Sequence, residues 1–196
     1  MIRLALLRHG HTAWNRAGRI QGRTDIPLDD EARAALATLA LPPGWAEAEV
    51  VASPLSRAAE TATLIARRPP RLAPPLAEMD WGGWEGRAGR ALRADPASGY
   101  RDIEDWGWDF RPPGGESPAD VWARVAPFLV TLAADAVAVT HIGVMRTILA
   151  RAHGWAYRGA PPFTIKRARL YGVTFPPGDP SSMMPLPGPD RLIPAP

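Results

Sequence analysis

The chain contains no cysteine. That absence excludes a disulfide frame, a thiolate metal centre and a thiol nucleophile, and it fits a reducing compartment. Lysine is nearly absent as well. Lys166 stands alone, so 22 of the 23 basic residues are arginine. Biased codon usage accounts for such an excess together with the richness in Ala, Gly and Pro. Anion binding is the sharper reading, because a guanidinium fork matches phosphate, and only particular arginines can carry it. No apolar run nears the roughly 20 residues that span a bilayer. In MIRLALLRHG the apolar stretch is short, and charge and glycine follow at once, unlike a secretory signal. No basic run interleaved with aromatics suggests a nucleic-acid groove. Neither H-E-x-x-H nor G-x-x-x-x-G-K-[ST] occurs. The acidic stretch DIEDWGWD lacks the ligand spacing of a metal loop. The residues predict a cytoplasmic protein with no metal, no organic cofactor, and no nucleic-acid or membrane partner.

What is present is a chain of 196 residues, 46% hydrophobic, enough for one domain with a sizeable core. IRLALL, EVVASP and DAVAVTH read as short buried strands, each followed by a polar turn. DDEARAALATLA reads as a helix capped by Asp29 or Asp30 and ended by Pro42, Pro43 and Gly44. SRAAETATLIARR is a second helix, halted by Pro69 and Pro70. Pro74 to Ser117 is irregular and rich in Gly, Pro and Trp. SPADVWARVAPFLVTLAA starts like a helix, with Ser117 as N-cap and Pro118 in the first turn. Pro127 is expected to kink or split it. GVMRTILARAH is the next helix and RARLYGVTF the expected last strand. From Pro176 the chain is proline-rich without periodicity, which predicts a loosely held tail over 176–196 behind a domain of 1–175. Strands alternating with helices predict an α/β fold with a mostly parallel sheet.

Ligands of open parallel sheets bind beyond the carboxyl ends of the strands. Arg8, His9, Gly10 and His11 follow the first strand, two of the chain's four histidines among them. Ser53, Ser56 and Arg57 follow the second, and His141 and Gly143 the third. Such a cluster suits an anion, with histidine free for proton or nucleophilic work.

LLRHGHTAWN, SPLSRAAETA, EMDWGGWEG, PGGES and VTHIGVMR occur in the order seen in the histidine phosphatase superfamily, the phosphoglycerate mutase-like enzymes, which the chain resembles from about Arg3 to Leu149. GRIQGRTDIPL and EMDWGGWEGR look most like small phosphatases of the α-ribazole phosphatase type. The resemblance implies a three-layer α/β/α fold, a small phosphomonoester substrate, no metal and no cofactor, in a monomer or homodimer. It implies that His9 is the nucleophile, that Arg8 and Arg57 grip the phosphoryl oxygens, and that His141 donates to them. Asn15, Gln21 and Gly22 complete the substrate pocket, and Glu78 is the general acid, with Glu85 and Asp80 as nearby competitors. Two departures stand out. His11 replaces the commoner Glu or Gln and is assigned to the pocket wall; Ile142 stands where Gly is common. Trp81, Trp84, Trp106 and Trp108 form either an apolar lid or core beneath a loop. The alternatives are a cofactor-dependent mutase, with Arg87, Arg90, Arg93 and Arg101 meeting a second charged group, and a non-catalytic phospholigand-binding protein. The tryptophans and the scattered arginines favour an apolar leaving group over a second anion.

Overall fold

Alternate residues of the first strand feed two separate cores, and this organises the whole molecule. A computed structural model describes residues 1–195. In chain order it contains β1 (Ile2–Arg8), α1 (Ala13–Arg16), α2 (Asp30–Ala37), β2 (Leu39–Ala40), β3 (Glu49–Ala52), α3 (Ser56–Ala66), β4 (Arg71–Leu72), α4 (Gly89–Ala94), α5 (Pro118–Val130), β5 (Ala136–Thr140), α6 (Ile142–His153), β6 (Arg169–Phe175), β7 (Met184–Arg191) and β8 (Ile193–Pro194). Leu4 and Leu6 of β1, Val51 of β3 and Ala136 and Ala138 of β5 pack with Val121, Val125 and Leu129 of α5 and Val144 and Ile148 of α6. Ala5 and Leu7, Val50 and Ala52, and Val137 and Val139 pack with Leu36 of α2 and Ala58, Ala62 and Ile65 of α3. The period of two along each strand thus sends successive side chains to opposite helical layers. The fold is a three-layer α/β/α arrangement.

The main sheet has the order β4-β3-β5-β1-β6-β7. β4, β3, β5 and β1 are mutually parallel, and β6 runs antiparallel to β1. Helix starts follow the local chemistry. Asp29 accepts the Ala32 amide ahead of α2, and Ser117 and Asp120 form a capping box ahead of α5. Pro127 does not split α5, which runs unbroken to Val130. It stands in the last turn, where it forfeits a single backbone bond.

The tail departs from the sequence expectation. Met184–Arg191 pairs antiparallel with β6, and Ile193–Pro194 pairs with Leu39–Ala40. β6 is therefore not the last strand. Met183 and Leu192 are buried, and the Trp45 indole donates to the Asp190 carboxylate at 2.9 Å. Proline hid this strand: Pro185, Pro187 and Pro189 destroy the strand signal. An edge strand tolerates them, because only its inward groups must pair.

Deleting residues from Pro177 onward removes β7, β8 and two buried apolar side chains worth about 1.5–3 kcal/mol each. Thermal unfolding of the truncated chain is expected to show Tm lowered by roughly 5–20 °C. An unchanged Tm would restore the picture of a loose tail.

Candidate active site

The parallel strands β3, β5 and β1 bring Ser53, His141 and Arg8–His9 to one sheet edge. The His9 amide donates to Thr140 and the Ser53 amide to Val139, which locks the three strand ends together. The His9 and His141 rings then lie 5.0 Å apart. His9 is 3% exposed. Its Nδ1 is 2.6 Å from the Gly10 carbonyl. A carbonyl only accepts, so Nδ1 carries the proton and Nε2 keeps its lone pair. Burial first, then the charges of Arg57, Arg8 and Arg167, hold the imidazole well below its usual range. The surroundings of His9 thus favour the neutral ring.

The surrounding donors are buried and partly unspent. Arg57 is fully buried at the start of α3 and gives two N–H groups to the Gly22 carbonyl (2.6 Å) and the Thr24 carbonyl (3.0 Å). Its Nε has no partner; neither has the Nε of Arg8, the Nδ1 of His141 or the Nε2 of Gln21. Burial lowers the Arg8 guanidinium to about 10. Ser53 Oγ accepts the Leu55 amide and lies 2.8 Å from His141 Nε2. If the hydroxyl gives its one proton to Nε2, His141 Nδ1 is left as a donor. Buried donors are normally paired; four orphans on residues of one site are suited to oxyanion oxygens.

These residues open into a cleft of about 370 Å³ lined by Arg8, His9, Asn15, Gln21 and Glu78. Arg57 and His141 are buried beside it. Asn15 gives one of its two amide protons to Gln21 at 3.1 Å, and the Gln21 Nε2 has no partner at all. Gly22 does not reach the cleft, contrary to expectation. Its carbonyl is turned to Arg57, and a Cβ at Gly22 would sit 2.6 Å from a Glu85 oxygen. His11 is likewise misplaced by sequence reasoning. It lines a small cavity with Leu36 and Arg167 instead.

Glu78 is 2% exposed. Burial pushes its carboxyl up, against the opposing pull of the Met79 amide (2.7 Å) and the Gly143 amide (3.0 Å). Its competitors are employed elsewhere. Glu85 accepts the Arg23 and Thr24 amides, bonds that win over burial and lower its carboxyl. Asp80 caps the Gly82 amide at 2.8 Å. Trp81, Trp84 and Trp106 are both core and wall: each is buried, and each borders the cleft. Trp108 stacks on Arg151 instead, 4.2 Å from its ring centroid.

Residues 4–184 match the profile of the histidine phosphatase superfamily (branch 1). The chain belongs to this superfamily. A 2,3-bisphosphoglycerate-dependent phosphoglycerate mutase of Gloeothece citriformis is 29% identical over 196 residues, 81% of this chain and 82% of that protein. A glucosyl-3-phosphoglycerate phosphatase of Mycobacterium tuberculosis is 35% identical over 138 residues, 68% of this chain and 61% of its own length. The crystal structure of a phosphoglycerate mutase from Thermus thermophilus is 36% identical, with a TM-score of 0.73, covering 98% of this chain and 99% of that one.

In this histidine phosphatase, sequence reasoning missed the residues that brace the site. Glu116 of PGGES accepts from Arg23 at 2.8 Å and from Arg124 at 3.0 Å. Both arginines then donate to the Glu78 carbonyl, at 3.4 and 3.2 Å. Arg167 donates to the His9 carbonyl (3.1 Å) and to Asn15 (2.8 Å). Arg146 lines the cleft from α6. PGGES carries Glu116, GRIQGRTDIPL carries Arg23 and VTHIGVMR carries Arg146, whereas no motif pointed to Arg124 or Arg167.

The environment of His9 has a direct spectroscopic consequence. At pH 6.5, where a free imidazole is half protonated, His9 is expected to remain neutral with its proton on Nδ1. Nitrogen-15 NMR of labelled imidazoles reads the tautomer. A half-charged His9 at that pH would contradict this electrostatic picture.

Proposed function

We propose that the chain is a phosphomonoesterase that hydrolyses a small phosphorylated metabolite through a phosphohistidine on His9. The observation that carries this is the neutral His9, with Nε2 unprotonated, amid unpartnered donors of Arg8, Arg57, His141 and Gln21. The relatives named as phosphatases support hydrolysis.

The steps follow from the residues. Nε2 of His9 attacks phosphorus, and the bond from phosphorus to the leaving oxygen breaks. Charge on the phosphoryl oxygens is met by Arg8 and Arg57, and by the donors of His141 and Gln21. Burial raises the Glu78 carboxyl and so favours its protonated form, which gives its proton to the leaving oxygen. Its carboxylate then takes a proton from water as the water attacks the phosphohistidine. The N–P bond breaks, phosphate leaves, and the lone pair returns to Nε2. No step calls for a metal. Phosphomonoesterase activity is expected to survive chelation by EDTA and to be inhibited by vanadate.

Glu78→Gln is expected to slow hydrolysis of alkyl phosphates by roughly 10²- to 10⁴-fold. Activated aryl phosphates, whose leaving group hardly needs a proton, suffer less. The sign of the pH dependence follows from the same residue. Only protonated Glu78 acts on the alkyl ester, so that rate falls as pH rises through its raised pKa. The alkaline limb is expected to weaken for the aryl ester. If Glu85→Gln shows the leaving-group pattern and Glu78→Gln does not, the acid is wrongly assigned.

The mutase reading rests on the relatives bearing that name. A time course separates the two. Phosphate release is followed from a panel including sugar phosphates and a ribazole phosphate, beside 3-phosphoglycerate with catalytic 2,3-bisphosphoglycerate. One phosphate released per ester consumed is expected. Rapid interconversion of phosphoglycerates with negligible release from every panel member would replace the phosphatase by the mutase.

A further inference from the structure

Arg19, Arg93, Arg101 and Arg146 line the cleft in addition to Arg8. Three of them are already engaged. Arg19 donates to the Gly86 carbonyl, Arg93 is ion-paired with Asp102, and Arg101 lies 4.9 Å from the Phe110 ring centroid. Arg87 pairs with Asp95 and, like Arg90, stands away from the cleft. Arg146 is different. Among the described residues its guanidinium has no hydrogen bond, ion pair or cation–π contact, although it is half-buried. Glu78 and Glu104 are its acidic neighbours in the cleft, and burial outweighs them, pulling the guanidinium below its usual range. Neither comes within ion-pairing distance, and Glu78 is itself pushed towards the neutral acid.

Its nitrogens are not sealed in the protein but open into the cleft, and an arginine that lines a cleft with no protein partner has its whole donor fork free for an oxyanion of a ligand. Arg146 follows Ile142 by four residues on α6, so the two side chains share a helix face. Ile142 also lines the cleft, one residue from the His141 cap of α6. The guanidinium therefore faces the same cleft as His9, one helical turn along α6.

We propose that Arg146 docks a second oxyanion of the substrate, so that the leaving alcohol carries a carboxylate or a further phosphoryl group. This deepens the phosphatase reading and rests on it. It also replaces the expectation of a purely apolar leaving group: the Trp81, Trp84 and Trp106 wall packs the carbon frame, and Arg146 takes its charged end. The rival explanation is that Arg146 merely offsets Glu78, in which case it would serve all ligands alike.

Non-hydrolysable phosphonates test this without turnover. Propylphosphonate, 3-phosphonopropionate and propane-1,3-diphosphonate share one phosphonate and differ in the far end: methyl, carboxylate or second phosphonate. Calorimetry on the full chain is expected to show at least one of the two charged compounds binding roughly 10- to 100-fold more tightly than propylphosphonate, the scale of a charge-assisted contact. Which one does so separates carboxylate from phosphoryl. In Arg146→Gln that ratio is expected to fall towards one, and in Arg146→Lys to recover in part. A wild-type ratio near one overturns the proposal, as does an Arg146→Gln variant that weakens all three compounds equally. Phosphate release from a neutral-alcohol ester is measured alongside. Release with no charged-end preference sinks the second-anion site alone. No release and no phosphonate binding sinks the phosphatase reading with it.

Discussion

Arg8, Arg57 and Arg167 are desolvated around one neutral imidazole, with Glu78 as the nearest buried acid. Removing a guanidinium from water costs several kcal/mol unless its protons are satisfied. Arg57 meets that cost with the Gly22 and Thr24 carbonyls and with Asp25 at 3.8 Å, itself tied to the Ser56 amide. Arg167 meets it with the His9 carbonyl and Asn15. What remains unpaired, the Nε of Arg8 and of Arg57, is left free for an oxyanion. The two apolar cores are the other half of this balance. Strands buried on both faces supply the stability that a cluster of like charges consumes, and their shared edge holds the cluster in register.

This division explains what was legible in the sequence. β1, β3 and β5 are short, continuous apolar runs, and their ends alone name Arg8, His9, Arg57 and His141 as neighbours. The rest depends on contacts that no local pattern carries. Arg167 reaches His9 across 158 positions of chain, and Glu116 reaches Asp80 and Arg23 across 36 and 93. Gly22, which the resemblance placed in the pocket, turns its carbonyl to Arg57 and packs against the Glu85 carboxylate. The closing strands were misread because proline erases periodicity without preventing edge pairing.

The two ends of the cleft are built differently. The phosphoryl end stands on strand termini and helix starts, where backbone bonds fix each side chain. The leaving-group end comes largely from the irregular segment between Pro74 and Ser117, where Trp84 meets Tyr100 at 5.1 Å and Trp106 at 6.1 Å. A rigid scaffold with variable loops is how one superfamily accommodates relatives named as mutases and as phosphatases. On the proposed function, the first end would set the reaction and the second its specificity.

Glu78 shows how finely the shared end is poised. In the proposed reaction this acid would lose its proton in one half-reaction and regain it in the other, which neither form could do if strongly favoured. Burial alone would lock it neutral; the Met79 and Gly143 amides alone would lock it charged. Gly143 lies in the first turn of α6, where helix amides favour negative charge. A side chain there would strike Glu78 itself: a Cβ on Gly143 would lie 2.5 Å from its carboxylate. The clamp of Glu116, Arg23 and Arg124 holds the Glu78 carbonyl from the opposite side. The carboxyl is thus fixed where both opposing influences reach it, with burial the larger of the two.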